Sequence, residues 1–202
     1  MNEVYLRGII KDIQPSHIID DVRYDKASLI VRRKDGKEDV INLKFKSFSN
    51  IYKENDIIEL AGNLRSYSYK VDNNKNKVSI YVFTYFNRPE NLPEDVCNQV
   101  TLDGRICKLN DLRTPKNSRH NIHFIVANNL ISSTQEKRLN SYIPCIAWGK
   151  LAKEICKLKV NDKVKLTGEV HSREHKKLHE NGEIEIRVAH EFLVTGFEVL
   201  EK

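Results

Sequence analysis

Cysteine, proline and glycine are scarce in this sequence. Its 202 residues include 4 cysteines, 5 prolines and 8 glycines. No two cysteines form a Cys-x-x-Cys pair, so the spacing indicates neither a zinc knuckle nor a disulfide framework. With so little glycine and proline, the chain is typical of a folded globular protein. We interpret the cysteines as small buried hydrophobic residues in a reducing compartment; they are Cys97, Cys107, Cys145 and Cys156.

The sequence also lacks a long apolar run. No window approaches the roughly 20 apolar residues that a membrane span needs. The first residues, MNEVYLRG, lack the basic start and apolar core of a signal peptide. We therefore predict a soluble, cytoplasmic protein with no membrane partner.

Positive charge is in moderate excess and is unevenly distributed. Lys and Arg total 34 against 28 Asp and Glu, which gives a net charge of +6. Residues 1–98 hold 16 basic and 15 acidic residues, whereas residues 99–202 hold 18 and 13. This balance favours a polyanion as partner, with the second half as the more basic part.

The two halves of the chain resemble each other. VYLRGII at residues 4–10 matches VTLDGRI at residues 100–106, with identity at the four alternate positions that share one side of a strand. NDIIELAGNLRS at residues 55–66 aligns with NDKVKLTGEVHS at residues 161–172. Matches in the same order at both ends of each half indicate a duplicated domain.

A connector separates the two copies. Pro89 and Pro93 lie among polar residues, which favours a segment outside regular structure. We predict a first, divergent domain at residues 1–88, a linker at residues 89–98 and a second domain at residues 99–202.

The apolar pattern within each half has mostly a period of two, which is typical of half-buried strands. Gly62 and Gly168 interrupt two such strands and predict a bulge or a sharp bend. One helix is predicted at residues 150–158, whereas the counterpart at residues 45–52 is poor in helix formers. The predicted order of elements, three strands followed by a helix and two more strands, is that of the OB-fold. We therefore predict an all-β protein with short helices, built as two tandem five-stranded barrels.

The second half resembles the bacterial single-stranded DNA-binding protein family. The stretch at residues 142–152 reads YIPCIAWGKLA, and the likeness extends back through Gly104, Arg105, Thr114 and Pro115 and forward through residues 164–173. It covers about residues 99–197. For residues 1–86 it is weaker and depends mainly on the internal repeat.

The resemblance implies sequence-tolerant binding of single-stranded DNA during replication, recombination or repair. Such binding uses aromatic side chains that stack on bases and cations that contact phosphates. The candidates in the second half are Trp148, Tyr142, Lys150, Arg173, His175 and the basic loop residues Arg113, Lys116 and Arg119. Those in the first half are Phe45, Lys46, Arg65, Tyr67, Tyr69 and Lys70. A lone Trp such as Trp148 is also typical of a core.

Two barrels in one chain predict a homodimer with four barrels in all. The resemblance implies this number, since common members of the family carry one barrel per chain and assemble as tetramers. The long tail with an acidic tip that most members use to recruit repair proteins is not expected, because the sequence ends in GFEVLEK.

Three alternatives stay open. The ligand could be single-stranded RNA, or a protein partner in a primosome-like assembly, because a fold does not fix a function. The first barrel could serve mainly in oligomerisation. A metal-dependent enzyme would require His171, His175 and His179 to share a helix face, but the surrounding pattern predicts a strand and a turn. Since no catalytic motif is present either, we predict no enzymatic activity, no metal and no cofactor.

Overall fold

A computed structural model shows the chain as strands arranged in two closed barrels. The structure describes residues 1–47, 52–71, 75–85, 97–116, 119–131, 138–178 and 184–201. Within these residues the regular structure is ten strands and one short helix. The predicted all-β class is therefore confirmed.

The first barrel contains five strands. These are β1 (Asn2–Ile19), β2 (Val22–Arg32), β3 (Glu38–Lys46), β4 (Ile57–Val71) and β5 (Lys75–Tyr85). Their order is β1-β2-β3-β5-β4, and β4 pairs again with β1, which closes the barrel. Only β3 and β5 among these pairs run parallel.

The second barrel repeats this arrangement. It contains β6 (Asn98–Leu109), β7 (Asn121–Ile131), β8 (Arg138–Trp148), helix α1 (Gly149–Ile155), β9 (Lys163–Leu178) and β10 (Ile184–Val199). The order is β6-β7-β8-β10-β9, and β9 closes on β6. The parallel pair is β8 with β10.

Alternation of apolar and polar side chains explains why these segments are strands. Along β3, the side chains of Ile41, Leu43 and Phe45 are buried, and the residues between them face outward. In the second barrel Leu102, Val164 and Leu166 are fully buried in the same way. Period-two burial places one face of every strand in a barrel core and leaves the other face for solvent or ligand.

The helix lies where the sequence predicts it but is shorter. It ends at Ile155, with Cys156 as its C-terminal cap, and not at residue 158. Ala152 and Ile155 are buried against the second barrel. In the first half, Phe45 and Lys46 belong to β3, and residues 48–51 lie outside the described residues.

The sequence predicts a bulge or a sharp bend at Gly62 and Gly168; neither glycine is a bulge of its own strand, because both pair in regular register. Gly168 pairs in regular register with Val100, and the nearby register shift lies between Val194 and Gly196. A Cβ atom on Gly168 would lie 1.9 Å from the carbonyl oxygen of Leu193. The glycines are therefore required by the close approach of neighbouring backbones.

The two barrels are joined edge to edge. β1 and β6 pair antiparallel, centred on Val4 opposite Val100, which are equivalent positions of the repeat. The side-chain amide of Asn2 donates a hydrogen bond to the carbonyl of Leu64 and accepts one from its backbone N–H. The side-chain amide of Asn98 makes the same two hydrogen bonds with Val170. Equivalent residues thus make equivalent bonds, which gives the chain an internal near-twofold arrangement.

Two further observations concern the surface. Cys107 is exposed, contrary to the prediction that all four cysteines are buried, while Cys145 is buried and the pKa of its thiol is raised by that burial. Among the described residues no helix is long and apolar enough to cross a membrane.

Candidate nucleic-acid interface

The outer side of the first barrel carries aromatic and basic side chains from three neighbouring strands. Because β3, β5 and β4 lie side by side, outward-facing residues that are distant in sequence become neighbours. We call this set the aromatic face; it consists of Lys44, Arg65, Tyr67, Tyr69, Tyr81 and Phe83.

Cations and rings are in direct contact on the aromatic face. The Nζ atom of Lys44 lies 4.8 Å from the ring centre of Tyr67 and 4.6 Å from that of Tyr81. The Cζ atom of Arg65 lies 4.0 Å from the ring centre of Phe83. Tyr67 and Tyr69 are 45% and 44% exposed, so part of each ring is open to a ligand.

The electrostatics of this face differ from those of an ordinary surface. Burial and the nearby charge of Lys26 lower the pKa of Lys44. Burial raises the pKa of Tyr81, whose hydroxyl is in any case neutral at physiological pH. The face therefore presents positive charge and neutral rings together, the combination that suits unpaired nucleotides.

A groove lined by residues of both barrels lies beside Trp148. Its volume is about 1260 Å³. Trp148 ends β8 and is 40% exposed. Arg119 and Arg173 line the groove from the second barrel, and Arg33 and Lys37 line it from the turn between β2 and β3 of the first. Carboxylates are also present; they are Asp35, Glu38, Glu174 and Glu191.

A buried polar cluster fixes the two walls of this groove. The Asp39 carboxylate is 0% exposed; it forms an ion pair with Arg33 and accepts a hydrogen bond of 2.6 Å from the backbone N–H of Ser172. Arg33 in turn donates to the carbonyl of Ser172 at 3.1 Å. The hydrogen bond to Asp39 raises the pKa of Arg33. Ser172 precedes Arg173, so a side chain of the first barrel holds the backbone next to a candidate residue of the second.

Of the other candidates in the second barrel, three are exposed and do not line the groove. Lys150 lies on α1, and Arg113 and Lys116 lie in the segment before β7. The side chain of His175 lies outside the described residues.

Tyr142 is 48% exposed but is separate from Trp148. Their separation of six positions corresponds to about 20 Å along β8. The backbone N–H of Tyr142 donates to the Ser66 hydroxyl of the first barrel at 2.8 Å, which places Tyr142 at the contact between the barrels. The two aromatic residues singled out by the family resemblance therefore do not form one stacking platform.

Phe45 requires a correction. Its side chain is only 6% exposed and belongs to the core of the first barrel, because it follows the inward alternation of β3. It is therefore not part of a stacking surface. Lys46, next in sequence, is half-buried at the end of β3, and Lys70 is exposed on β4.

Sequence reasoning missed Lys44, Tyr81 and Phe83 on the aromatic face and the pair of Arg33 and Asp39. These residues lie on strands whose neighbours are set by the closed barrel and not by proximity in sequence. Outward positions on β3 and β5, taken from the period-two pattern and the OB-fold strand order, are the signal that could have found the first three.

The histidine alternative does not fit the structure. His171 and His175 both lie on β9, where a four-residue separation corresponds to about 13 Å, and His179 lies outside the described residues. His171 Nε2 is 2.8 Å from a Glu169 carboxylate oxygen. In the described ranges no group of three or more His, Cys, Asp or Glu side chains is placed to hold a metal.

Two closed barrels of this topology, with a cationic aromatic outer face, define a protein of the OB-fold class, whose barrels bind oligonucleotides across one face. Residues 97–193 match the Single-strand binding protein family. This match covers most of the second barrel and confirms the resemblance found in the sequence.

Solved structures agree with this fold. The wild-type single-stranded DNA binding protein from Thermus aquaticus is similar at 16% identity and a TM-score of 0.72, over 100% of this chain and 94% of that one. A deletion variant of the Thermus aquaticus protein gives 17% identity and a TM-score of 0.71, over 100% and 95% of the chains. The protein priB from Ralstonia solanacearum matches 52% of this chain and 100% of its own at 11% identity, but its TM-score of 0.40 supports no argument. A search of curated proteins finds no match.

Proposed function

We propose that the protein binds single-stranded DNA with little sequence specificity and protects or organises it during replication, recombination or repair. The match of residues 97–193 to the Single-strand binding protein family supports this role. The observation that carries the proposal for the first barrel, which lies outside the family match, is the aromatic face with its two half-exposed tyrosines.

Stacking and charge act together in the proposed mechanism. Bases stack on the open rings of Tyr67 and Tyr69 in the first barrel and on Trp148 in the second. Each stacked base contributes about 1 to 3 kcal/mol, and cationic contacts to phosphates add a salt-dependent part. Because every base has a flat face, such a surface tolerates any sequence.

The assembly and the organisation of the chain are part of the same proposal. We infer a first domain at residues 1–88 and a second at residues 99–202, related by duplication. Two such chains would form a homodimer with four barrels. The role is binding without catalysis. Single-stranded DNA is favoured over RNA as ligand because the similar solved structures are of single-stranded DNA binding proteins.

The double variant Arg65→Ala with Tyr69→Ala tests whether the first barrel takes part. Its affinity for oligo-dT is expected to fall and its site size to shorten, because one stacking partner and one cation are lost. Lys53→Ala serves as the matched control, since Lys53 is an exposed cation of the same barrel outside the aromatic face. Unchanged affinity and site size in the double variant would show that the first barrel does not contact DNA. Competition with an RNA oligonucleotide of matched length identifies the preferred ligand.

A further inference from the structure

Two lysines face each other on adjacent strands of the first barrel. Lys26 on β2 and Lys44 on β3 are directly opposite in the antiparallel register. Cross-strand neighbours of this kind have Cβ atoms about 5 Å apart, and like charges in that position repel each other. Such a pair destabilises the sheet unless a neighbouring group compensates the repulsion between the two positive charges.

No carboxylate among the described residues compensates it. Neither lysine forms an ion pair with an Asp or Glu in the described part of the chain. The Nζ atom of Lys44 is instead held between the rings of Tyr67 and Tyr81. Burial and Lys26 lower the pKa of Lys44, which is the response of a cation that lacks a nearby anion.

The pair opens onto a cavity of the right size and polarity. Its volume is about 330 Å³, which corresponds to roughly ten water molecules. Residues from all five strands of the first barrel line it. They are Asp12, Gln14, Lys26, Ala27, Ser28, Asn42, Leu43, Lys44, Tyr67 and Tyr81. Among the described residues of this lining Asp12 is the single acidic one, and hydroxyl and amide groups supply further hydrogen-bond donors.

The second barrel does not repeat this arrangement. In the parallel pair of the first barrel, Lys44 on β3 lies opposite Phe83 on β5. In the parallel pair of the second barrel, Ile146 on β8 lies opposite Leu193 on β10, so Ile146 is the residue equivalent to Lys44. The partner opposite Ile146 is His123 and not a lysine. The paired lysines are therefore a property of the first barrel alone.

We propose that the cavity between Lys26 and Lys44 is a phosphate subsite, which takes one phosphodiester group of a single strand whose adjacent base stacks on Tyr67. This inference rests on the proposed function. An anion between the two ammonium groups removes their repulsion and gains two charge-assisted hydrogen bonds. Tyr67 lines the cavity and is half exposed, so phosphate and base are recognised side by side.

The experiment compares Lys26→Met with Lys44→Met as a double variant against Lys53→Met as a matched control. Each protein is titrated with oligo-dT at several salt concentrations, and circular dichroism checks the fold of each. The double variant is expected to bind about tenfold more weakly at low salt. The slope of log K against log salt is expected to fall by about 0.7, the contribution of one phosphate on a single strand. The control keeps the wild-type affinity and slope.

The outcomes separate this inference from the proposed function. If the wild-type protein binds oligo-dT and the folded double variant binds with the affinity and slope of the control, the subsite is wrong and the function stands. If the wild-type protein does not bind oligo-dT at all, the proposed function is wrong and the subsite falls with it. A reduced affinity with an unchanged salt slope also overturns the subsite, because the lysines would then not neutralise a phosphate.

Discussion

Asp39 links the two walls of the groove through a fully buried carboxylate, so its replacement provides a direct test of how the groove is built. Asp39→Asn keeps the shape of the side chain and removes its charge. Arg33, only 21% exposed, loses its partner, and the bond to the Ser172 N–H loses its charged acceptor. Removing one partner of a buried ion pair costs about 3 to 5 kcal/mol. Since the amide retains an oxygen for Ser172, we expect a loss at the lower end, about 3 kcal/mol.

Urea denaturation followed by circular dichroism measures this loss. Asp35→Asn is the control, because Asp35 is an exposed acid of the same turn, 3.7 Å from Lys37; its unfolding midpoint is expected to match the wild type. The double variant Arg33→Met with Asp39→Leu should be more stable than Asp39→Asn, since no uncompensated charge stays buried. Equal midpoints for Asp39→Asn and Asp35→Asn would refute the reasoning.

Two further predictions concern packing and pH. Gly168→Ala should destabilise the protein by about 1 to 3 kcal/mol in thermal or urea unfolding, because its Cβ would meet the Leu193 carbonyl. Gly196→Ala should cost less, because its Cβ would meet a side-chain hydroxyl, that of Thr167 at 2.7 Å, and not a backbone carbonyl. The reverse order would contradict the account. A bound phosphate should raise the lowered pKa of Lys44, so oligo-dT binding takes up a proton at pH values between the free and bound pKa, and affinity falls as pH rises through that range. Calorimetry in buffers of different ionisation enthalpy measures this uptake, which Lys44→Met should abolish.

The barrels could be predicted from the sequence because strand patterns and a repeat are local signals. Identity at alternate positions, such as Val4 with Val100 and Leu6 with Leu102, indicates both the strand and its buried face. The order of elements then indicates the OB-fold. The helix was placed correctly, but its end was not, since the boundary depends on how Ile155 packs and not on helix propensity alone.

The site was only partly predictable. Tyr67 and Tyr69 were found because they follow one another on a single strand, whereas Lys44 and Tyr81 join them through the parallel pairing of β3 with β5, which leaves no trace in sequence spacing. Phe45 was misplaced because one residue of register decides whether a strand residue faces the core or the solvent. The Arg33 and Asp39 cluster depends on the contact between barrels, for which the sequence carries no signal.

Binding of single-stranded DNA by this protein is tested most directly through Trp148. As the only tryptophan, it reports on one defined position in the groove. Titration with oligo-dT is expected to quench its fluorescence, and duplex DNA of the same length should do so much less, because paired bases do not expose their faces. Absence of binding to oligo-dT, in both the fluorescence titration and an independent anisotropy assay, would contradict the account.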